Sequence, residues 1–171
     1  MSKNAGLYLV SINKIPAKSL LKKFDCGIEP LNTYLSRYAG KNDILGIGKT
    51  FLALTPNNEI AGYITLSTAQ IQYEQLPENF NAKLPKYPIP SLRIGRLAVS
   101  TEFQKKGTGK WLLKQAFIKA LQIADLTGIY VIIVDAKESS ATFYEQFGFI
   151  PLKDKNRTMF LLMDTIRKAF S

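Results

Sequence analysis

The chain reads as one α/β domain spanning residues 1–171, with a mixed, mostly antiparallel sheet flanked by helices. Its 171 residues suit one domain with a single sizeable core. Apolar residues make up 46% and aromatic residues 11%, too many for a disordered or low-complexity chain. Strand-like and helix-like runs alternate in the order β-α-α-β-β-β-α-β-α-β-β, with no internal repeat.

Gly6 to Ile12 is expected as the first strand, apolar on both faces and therefore buried on both sides. Pro16 opens a helix over Ala17 to Phe24, since the first helical N–H lacks a partner anyway, and Asp25-Cys26-Gly27 breaks it. A second helix is expected from Pro30 to about Ala39. Leu31, Tyr34, Leu35 and Tyr38 would form its core face, and Gly40 its stop. Thr50 to Leu54 and Ile60 to Leu66 read as a hairpin across the Pro56-Asn57-Asn58 turn. Pro77, Pro85, Pro88 and Pro90 mark residues 67–90 as an irregular surface excursion. A strand over Leu92 to Val99 leads into the clearest helix, Gly109 to Asp125, with Leu112, Leu113, Ala116, Phe117 and Ala120 on its apolar stripe. Ile129 to Val134 is a buried strand, and the helical connection makes it the parallel partner of 92–99. A short helix from Ser139 to Gln146 and strands near Phe149 to Leu152 and Thr158 to Met163 complete the chain.

Composition also excludes. A lone Cys26 cannot form an internal disulfide, which fits a reducing cytosol. No apolar run approaches the ~20 residues of a bilayer span, and the N-terminus has no signal-peptide pattern. No membrane partner and a cytoplasmic location are therefore expected. Histidine is absent, which removes His-based triads, His general bases and His metal sites, and no metal is expected.

The net charge is +10, with a pI near 9.7. Residues 1–50 carry a net +5 and residues 103–119 another +5, while the remaining segments balance. Such segments are either solvated faces or two polyanion sites. Gln104-Lys105-Lys106-Gly107-Thr108-Gly109 sits where the strand meets the long helix. Glycines there let backbone N–H groups converge on an anion, while the helix start and Lys105, Lys106 and Lys110 add positive charge. The run is a phosphate cradle or an ordinary strand-to-helix turn, and it lacks the Walker pattern.

Arg96-Leu97-Ala98-Val99 followed by Gln104-x-x-Gly107-x-Gly109 and an amphipathic helix resembles the acetyl-CoA site of GNAT-type N-acetyltransferases. Phe143-Tyr144-Glu145-Gln146-Phe147-Gly148-Phe149 is similar to the tyrosine-bearing short helix of that superfamily. Phe24-Asp25-Cys26-Gly27, with Leu31, Leu35 and Tyr38, and then Leu92-Arg93-Ile94-Gly95-Arg96, resembles its toxin branch. Members of that branch acetylate the amino acid on aminoacyl-tRNA, blocking translation, and are held by ribbon-helix-helix antitoxins. The resemblance implies a single GNAT domain with acetyl-CoA as co-substrate, aminoacyl-tRNA and such an antitoxin as partners, and a homodimer. Leu97, Ala98 and Val99 would meet the pantetheine amides, and Gln104, Lys105, Lys106, Gly107, Thr108, Gly109 and Lys110 the pyrophosphate. Tyr144 would protonate the CoA thiolate or donate a hydrogen bond to it. Much of the superfamily has Asn where this chain has Lys137, with Ser139 or Ser140 as local substitutes.

The chemistry suits these residues. An α-amine, pKa ~7.7–8.0, is partly neutral at pH 7, so it needs little base catalysis. A Lys acceptor would ask more, and Asp135, Glu138 and Glu145 are the nearby candidates. Cys26 lies outside the motif and is expected to be structural. Phe143 and Phe147 share a helical face and are expected to pack, leaving Tyr144, offset by about 100°, in the cleft. Strand alternation sends Arg93 and Arg96 to opposite faces. CoA would account for the lysines of 103–119 but not for Lys22, Lys23, Arg37 and Lys41, which with Arg93 and Arg96 are the tRNA candidates. Tyr34 and Tyr38 read as packing rather than base-stacking residues. The alternative activity is transfer to a small-molecule amine or protein N-terminus; a third reading is a CoA-binding module without catalysis.

Overall fold

The computed structural model describes residues 4, 6–153 and 155–171, without the side chains of Glu138, Lys155 and Asn156. Two compact units divide the chain, one running to Ser67 and taking in Gly95–Ala116, the other formed by Thr68–Ile94 and Phe117–Ser171.

In the first unit, β1 (Tyr8–Ser11) pairs antiparallel with β2 (Lys49–Leu54), and β2 with β3 (Ile60–Ile71); Leu52 lies opposite both Val10 and Tyr63. The hairpin forms where the Pro-Asn-Asn signal places it. Asn58 takes φ 61, which Asn tolerates better than most residues, and the Thr55 N–H donates to the Glu59 carbonyl at 3.0 Å. The first strand is shorter than expected. Ile12–Lys14 turns into a 3₁₀ segment, and the Asn13 amide donates to the buried Asp43 carboxylate at 2.8 Å. Helix α1 covers only Ser19–Lys23, because Phe24 is already extended and packs edge-on against Tyr63, ring centres 5.5 Å apart.

The second predicted helix is longer and differently wound. It comprises α2 (Glu29–Thr33), a π turn (Tyr34–Tyr38) and α3 (Ala39–Leu45). Gly40 lies inside it, and the stop is Gly46, left-handed at φ 79. A π turn holds one residue more than an α turn, so the buried stripe slips by one position. Tyr34 and Leu35 are buried, and Ala39 and Asp43 follow them inside. Tyr38, expected in the core, is 53% exposed. The core of this unit gathers Ile12, Phe24, Leu35, Leu52, Tyr63 and Ala98. The Tyr63 hydroxyl donates to the Leu31 carbonyl at 2.7 Å, and burial pushes its phenol pKa up.

In the second unit, β3 runs on to Ile71, past the expected Leu66. A 3₁₀ turn (Tyr73–Gln75) and α4 (Glu78–Asn81) give part of the proline-rich excursion regular structure. The buried Asn81 amide holds it by donating to the Leu76 carbonyl at 3.1 Å and the Tyr73 carbonyl at 3.3 Å. Strand β4 (Ile89–Val99) is parallel to β5 (Val131–Asp135), from Ser91 opposite Val131 to Ile94 opposite Val134. The connection between them carries α5 (Thr108–Ala124), as a parallel pair requires. After α6 (Glu138–Glu145), β6 (Ile150–Leu152) pairs antiparallel with β7 (Lys155–Leu162), which pairs antiparallel with β5. The strand order of this mixed, mostly antiparallel sheet is β1-β2-β3-β4-β5-β7-β6. The core here gathers Ile71, Leu76, Val131, Ile133 and Phe160, with Phe80 edge-on to Phe160 at 5.2 Å. Helix α7 (Met163–Ala169) was not expected: Met163 opens it instead of ending a strand, and seven residues are too few for a periodic signal. No helix among the described residues is long and apolar enough to cross a membrane.

One close approach fixes a glycine. A Cβ on Gly62 would lie 2.6 Å from the Ala98 carbonyl oxygen and 2.7 Å from Leu112 Cδ1. Gly62→Ala is expected to destabilise the protein by about 1–3 kcal/mol through this overpacking, read as a lower midpoint in thermal denaturation.

Candidate active site

The ladder between β4 and β5 ends at Ile94 and Val134. Residues 95–99 therefore carry β4 onward without β5 as a partner, leaving strand-edge groups for an extended amide ligand. Ala98 is buried, while Leu97 and Val99 are half-buried. A short 3₁₀ turn (Thr101–Phe103) then leads into the cradle.

The cradle is built differently from its glycine pattern. The left-handed residues are Lys105 (φ 60) and Gly107 (φ 84), while Gly109 already belongs to α5. Positive φ on both sides of Lys106 is the kind of backbone that lets N–H groups converge on an anion, and it leads directly into the first turn of α5, whose N–H groups have no partner within the helix. A left-handed lysine costs of order 1 kcal/mol and persists only where its surroundings impose it. The side chains mostly brace the loop. Gln104 Nε2 donates to the Cys26 carbonyl at 3.0 Å and the Val99 carbonyl at 2.9 Å. Lys106 Nζ donates to the Glu102 carbonyl at 2.6 Å. The Thr108 hydroxyl is buried and donates to Asn4 Oδ1 at 3.1 Å, and Asn4 Nδ2 reaches the Lys106 carbonyl at 3.3 Å. Lys105 and Lys110 remain exposed at the surface of the loop. An anion here meets backbone N–H groups first and lysine charge second, which suits a pyrophosphate.

Around Gln104 the first inter-helix bend is pinned in place. The Thr101 N–H donates to the Asp25 carbonyl at 2.9 Å, and the Cys26 N–H to Asn32 Oδ1 at 2.9 Å. Asp25 Oδ1 accepts from the Gly27 N–H at 2.8 Å and Asn32 Nδ2 at 2.9 Å, and these bonds hold its pKa below the usual range. The Cys26 thiol is buried, which pushes its pKa up and leaves it a poor nucleophile.

In the other unit, Tyr144 stands near the end of α6. It is buried, whereas Phe143 and Phe147, expected to be the packed pair, are half-buried. The reason is Gly148: left-handed at φ 93, it turns the chain back so that Phe149 meets the Tyr144 ring edge-on at 5.4 Å. Phe143 flanks the same ring at 5.1 Å and itself meets Phe147 at 5.2 Å, so three aromatic contacts fix the α6 cluster. Among the described residues nothing hydrogen-bonds the Tyr144 hydroxyl, and burial pushes its pKa up to about 12. Lys137 is the N-cap position of α6, and its carbonyl accepts the Ser140 hydroxyl at 3.1 Å; Ser139 is exposed.

Arg93 and Arg96 go to different places. Arg93 Nη1 forms an ion pair with Asp135 Oδ2, and the Thr158 hydroxyl donates to Asp135 Oδ1 at 3.0 Å. Both oxygens of Asp135 are engaged, so it is no free base. Glu145 is exposed, and the Glu138 side chain lies outside the described residues. Arg96 stacks on the Tyr34 ring, 3.5 Å from its centre. Lys22, Lys23 and Arg37 line one crevice of about 290 Å³, three cations against the two carboxylates of Asp25 and Glu29 in the same wall. Lys41 joins Arg37 and Lys18 at an adjoining hollow. Sequence reasoning missed the left-handed Lys105, the Asn4 brace and the outward Tyr38. None has a signal in composition or spacing, because each depends on backbone winding or long-range contact.

The profile of the acetyltransferase (GNAT) domain family matches residues 47–151, and the chain belongs to that family. It is 29% identical over 143 residues to the tRNA-acetylating toxin of Mycobacterium tuberculosis, covering 82% of this chain and 85% of that protein. The structure of AtaT complexed with acetyl-methionyl-tRNAfMet aligns with TM-score 0.88 at 28% identity, covering 96% of this chain and 99% of that one. A Tyr-to-Phe mutant of the AtaT toxin, bound to the C-terminus of the antitoxin AtaR and acetyl-CoA, aligns with TM-score 0.79 at 25% identity, covering 97% and 99%. The expected fold class, and the likeness to the toxin branch, both hold.

Gly107→Ala would force a side chain into a left-handed position, with its Cβ 3.1 Å from Asn4 Nδ2. The variant is expected to bind acetyl-CoA several-fold more weakly by calorimetric titration while keeping its far-ultraviolet circular dichroism.

Proposed function

We propose that this protein is a toxin that transfers acetyl from acetyl-CoA to the α-amine of aminoacyl-tRNA and thereby blocks translation. One observation carries the reading beyond the family. The cradle takes one polyanion, and Lys22, Lys23 and Arg37 line a separate crevice whose two acids, Asp25 and Glu29, form no ion pair with them among the described residues. Cations placed so, with Lys41 and Arg96 beside them, suit a second and larger polyanion. Arg93 is spent on Asp135 and leaves the set. The likeness to a tRNA-acetylating toxin and to AtaT with acetyl-methionyl-tRNAfMet supports the same reading.

Leu97, Ala98 and Val99 hold the pantetheine arm through the free edge of β4, and the backbone of residues 104–110 holds the pyrophosphate. The neutral α-amine attacks the thioester carbonyl carbon, a tetrahedral intermediate forms, and its collapse breaks the carbon–sulfur bond. The amine loses a proton and the thiolate gains one, giving an amide and free CoA. Tyr144, kept neutral by burial, donates a hydrogen bond to the departing sulfur. A phenol of pKa about 12 is several units too weak an acid to protonate a thiolate of pKa ~8.5 outright. Its role is therefore to stabilise developing charge on the sulfur. An acceptor amine of pKa ~8 needs no strong base, which accords with a chain lacking histidine.

The reading extends to a single functional domain over residues 1–171, acting in the cytoplasm as a homodimer. A ribbon-helix-helix antitoxin restrains it; the likeness to AtaT bound to the AtaR C-terminus supports an antitoxin partner.

Incubation with labelled acetyl-CoA and total charged tRNA is expected to label the aminoacyl group of at least one tRNA. No label on any tRNA would shift the reading to a small-molecule amine or protein N-terminus. Tyr144→Phe should abolish growth inhibition while leaving acetyl-CoA affinity nearly unchanged. Only the protonated phenol can donate, and its raised pKa keeps it protonated well above pH 10. The rate should thus rise with pH as the acceptor amine deprotonates near 8 and stay level through pH 10; a fall centred at 10 would contradict the buried phenol. Charge reversal at Lys22, Lys23 and Lys41 should weaken tRNA binding and flatten its dependence on salt, and an unchanged slope would refute the second polyanion site.

A further inference from the structure

The π turn places Tyr38 where no α-helix of this sequence would put it. Its ring is 53% exposed and lines an open hollow of about 440 Å³ with Glu29, Pro30, Thr33, Tyr34 and Arg96. Arg96 sits in this hollow with its Cζ 3.5 Å from the centre of the buried Tyr34 ring, and that ring is itself fixed by Asn42 Nδ2 at 3.4 Å from its hydroxyl. No carboxylate lies within 4.0 Å of the guanidinium among the described residues. Glu29, exposed in the lining, accepts the Thr33 hydroxyl on Oε1 at 3.4 Å and keeps Oε2 as a second acceptor. An exposed aromatic ring, a cation and a carboxylate acceptor thus share one hollow.

We infer that this hollow is a subsite for one nucleotide of a single strand whose base carries an exocyclic amine, the cytidine or adenosine of a tRNA 3′ end. The inference rests on the tRNA reading and names the part of the substrate held here. The base stacks on Tyr38, as single-stranded bases do on exposed aromatics. Its phosphate meets Arg96, whose fork of donors matches two oxygens and whose plane is already oriented by Tyr34. Glu29 accepts from the exocyclic amine, the same pairing by which a carboxylate reads cytosine N4. A uracil offers no donor there, so the carboxylate that would otherwise repel an anionic strand becomes the source of discrimination. This also gives the π turn a purpose: such turns recur at functional sites, and here the turn exchanges a core position for a stacking platform.

The test is fluorescence anisotropy with labelled CCA and UUU ribotrinucleotides, run beside acetyl transfer to total charged tRNA. Wild type should bind CCA several-fold more tightly than UUU. Tyr38→Ala should weaken CCA binding roughly tenfold, Tyr38→Phe should retain it, and Glu29→Gln should narrow the gap between the two probes. Arg96→Lys should weaken both probes while the thermal midpoint stays within the range of the other variants. Tyr38→Ala binding CCA as wild type does, or equal binding of the two probes by wild type, overturns the subsite. Transfer to charged tRNA that persists beside such a result leaves the proposed activity standing. Absence of transfer to any tRNA defeats the activity, and the trinucleotide result then decides the subsite by itself.

Discussion

Strand β4 spends its first half on hydrogen bonds to β5 and its second half on something else. Once the ladder ends at Ile94, the backbone of residues 95–99 is held from one side by the close approach of Gly62, where no side chain fits. The carbonyl of Val99 is then taken by Gln104, which folds the chain back and begins the run of left-handed residues leading into α5. The free strand edge, the anion cradle and the helix start are consecutive results of one interrupted ladder. A strand paired along its whole length would leave no edge for a thioester arm.

Gln104 has a second tie, to the carbonyl of Cys26, and the Thr101 N–H binds the neighbouring Asp25. The loop that carries residues 104–110 is thereby joined to the bend between α1 and α2, whose flanking helical segments hold Lys22, Lys23 and Arg37. The two basic segments of the sequence are built differently: the first places Lys22, Lys23 and Arg37 around one crevice, while the second leads through left-handed backbone into α5. The buried Tyr144 phenol stands in an aromatic cluster and carries no charge at neutral pH.

Much of this was legible in the residues. The long apolar stripe of α5, the Pro-Asn-Asn turn and the β-branched run of β5 all record local preferences, and local preferences are what a sequence displays. The Gln-x-x-Gly-x-Gly run marked the cradle, although the winding fell on Lys105 and Gly107 rather than on both glycines. The misplacements share a cause. Tyr38 left the core because one extra residue in a helical turn shifts everything after it, and Gly40 was no stop because the rewound helix carries it onward to Gly46. Asp135 resembled a base until Arg93 and Thr158 closed on its two oxygens, a meeting of three strands that spacing cannot show. The half-burial of Phe143 and Phe147 follows from the Gly148 turn, which brings Phe149 onto the tyrosine instead.

The Gln104–Cys26 contact spans 78 residues and the Thr108–Asn4 contact 104. Such distant pairs close late, since the loop entropy must be met before the contact repays it. The first unit is moreover discontinuous, needing Gly95–Ala116 to complete what begins at the N-terminus. A nascent chain on the ribosome can form the β2–β3 hairpin early, but it cannot brace the bend beside Cys26 until residue 104 has cleared the exit tunnel. The bend and the loop therefore become ordered together, and only after more than half of the chain has been made.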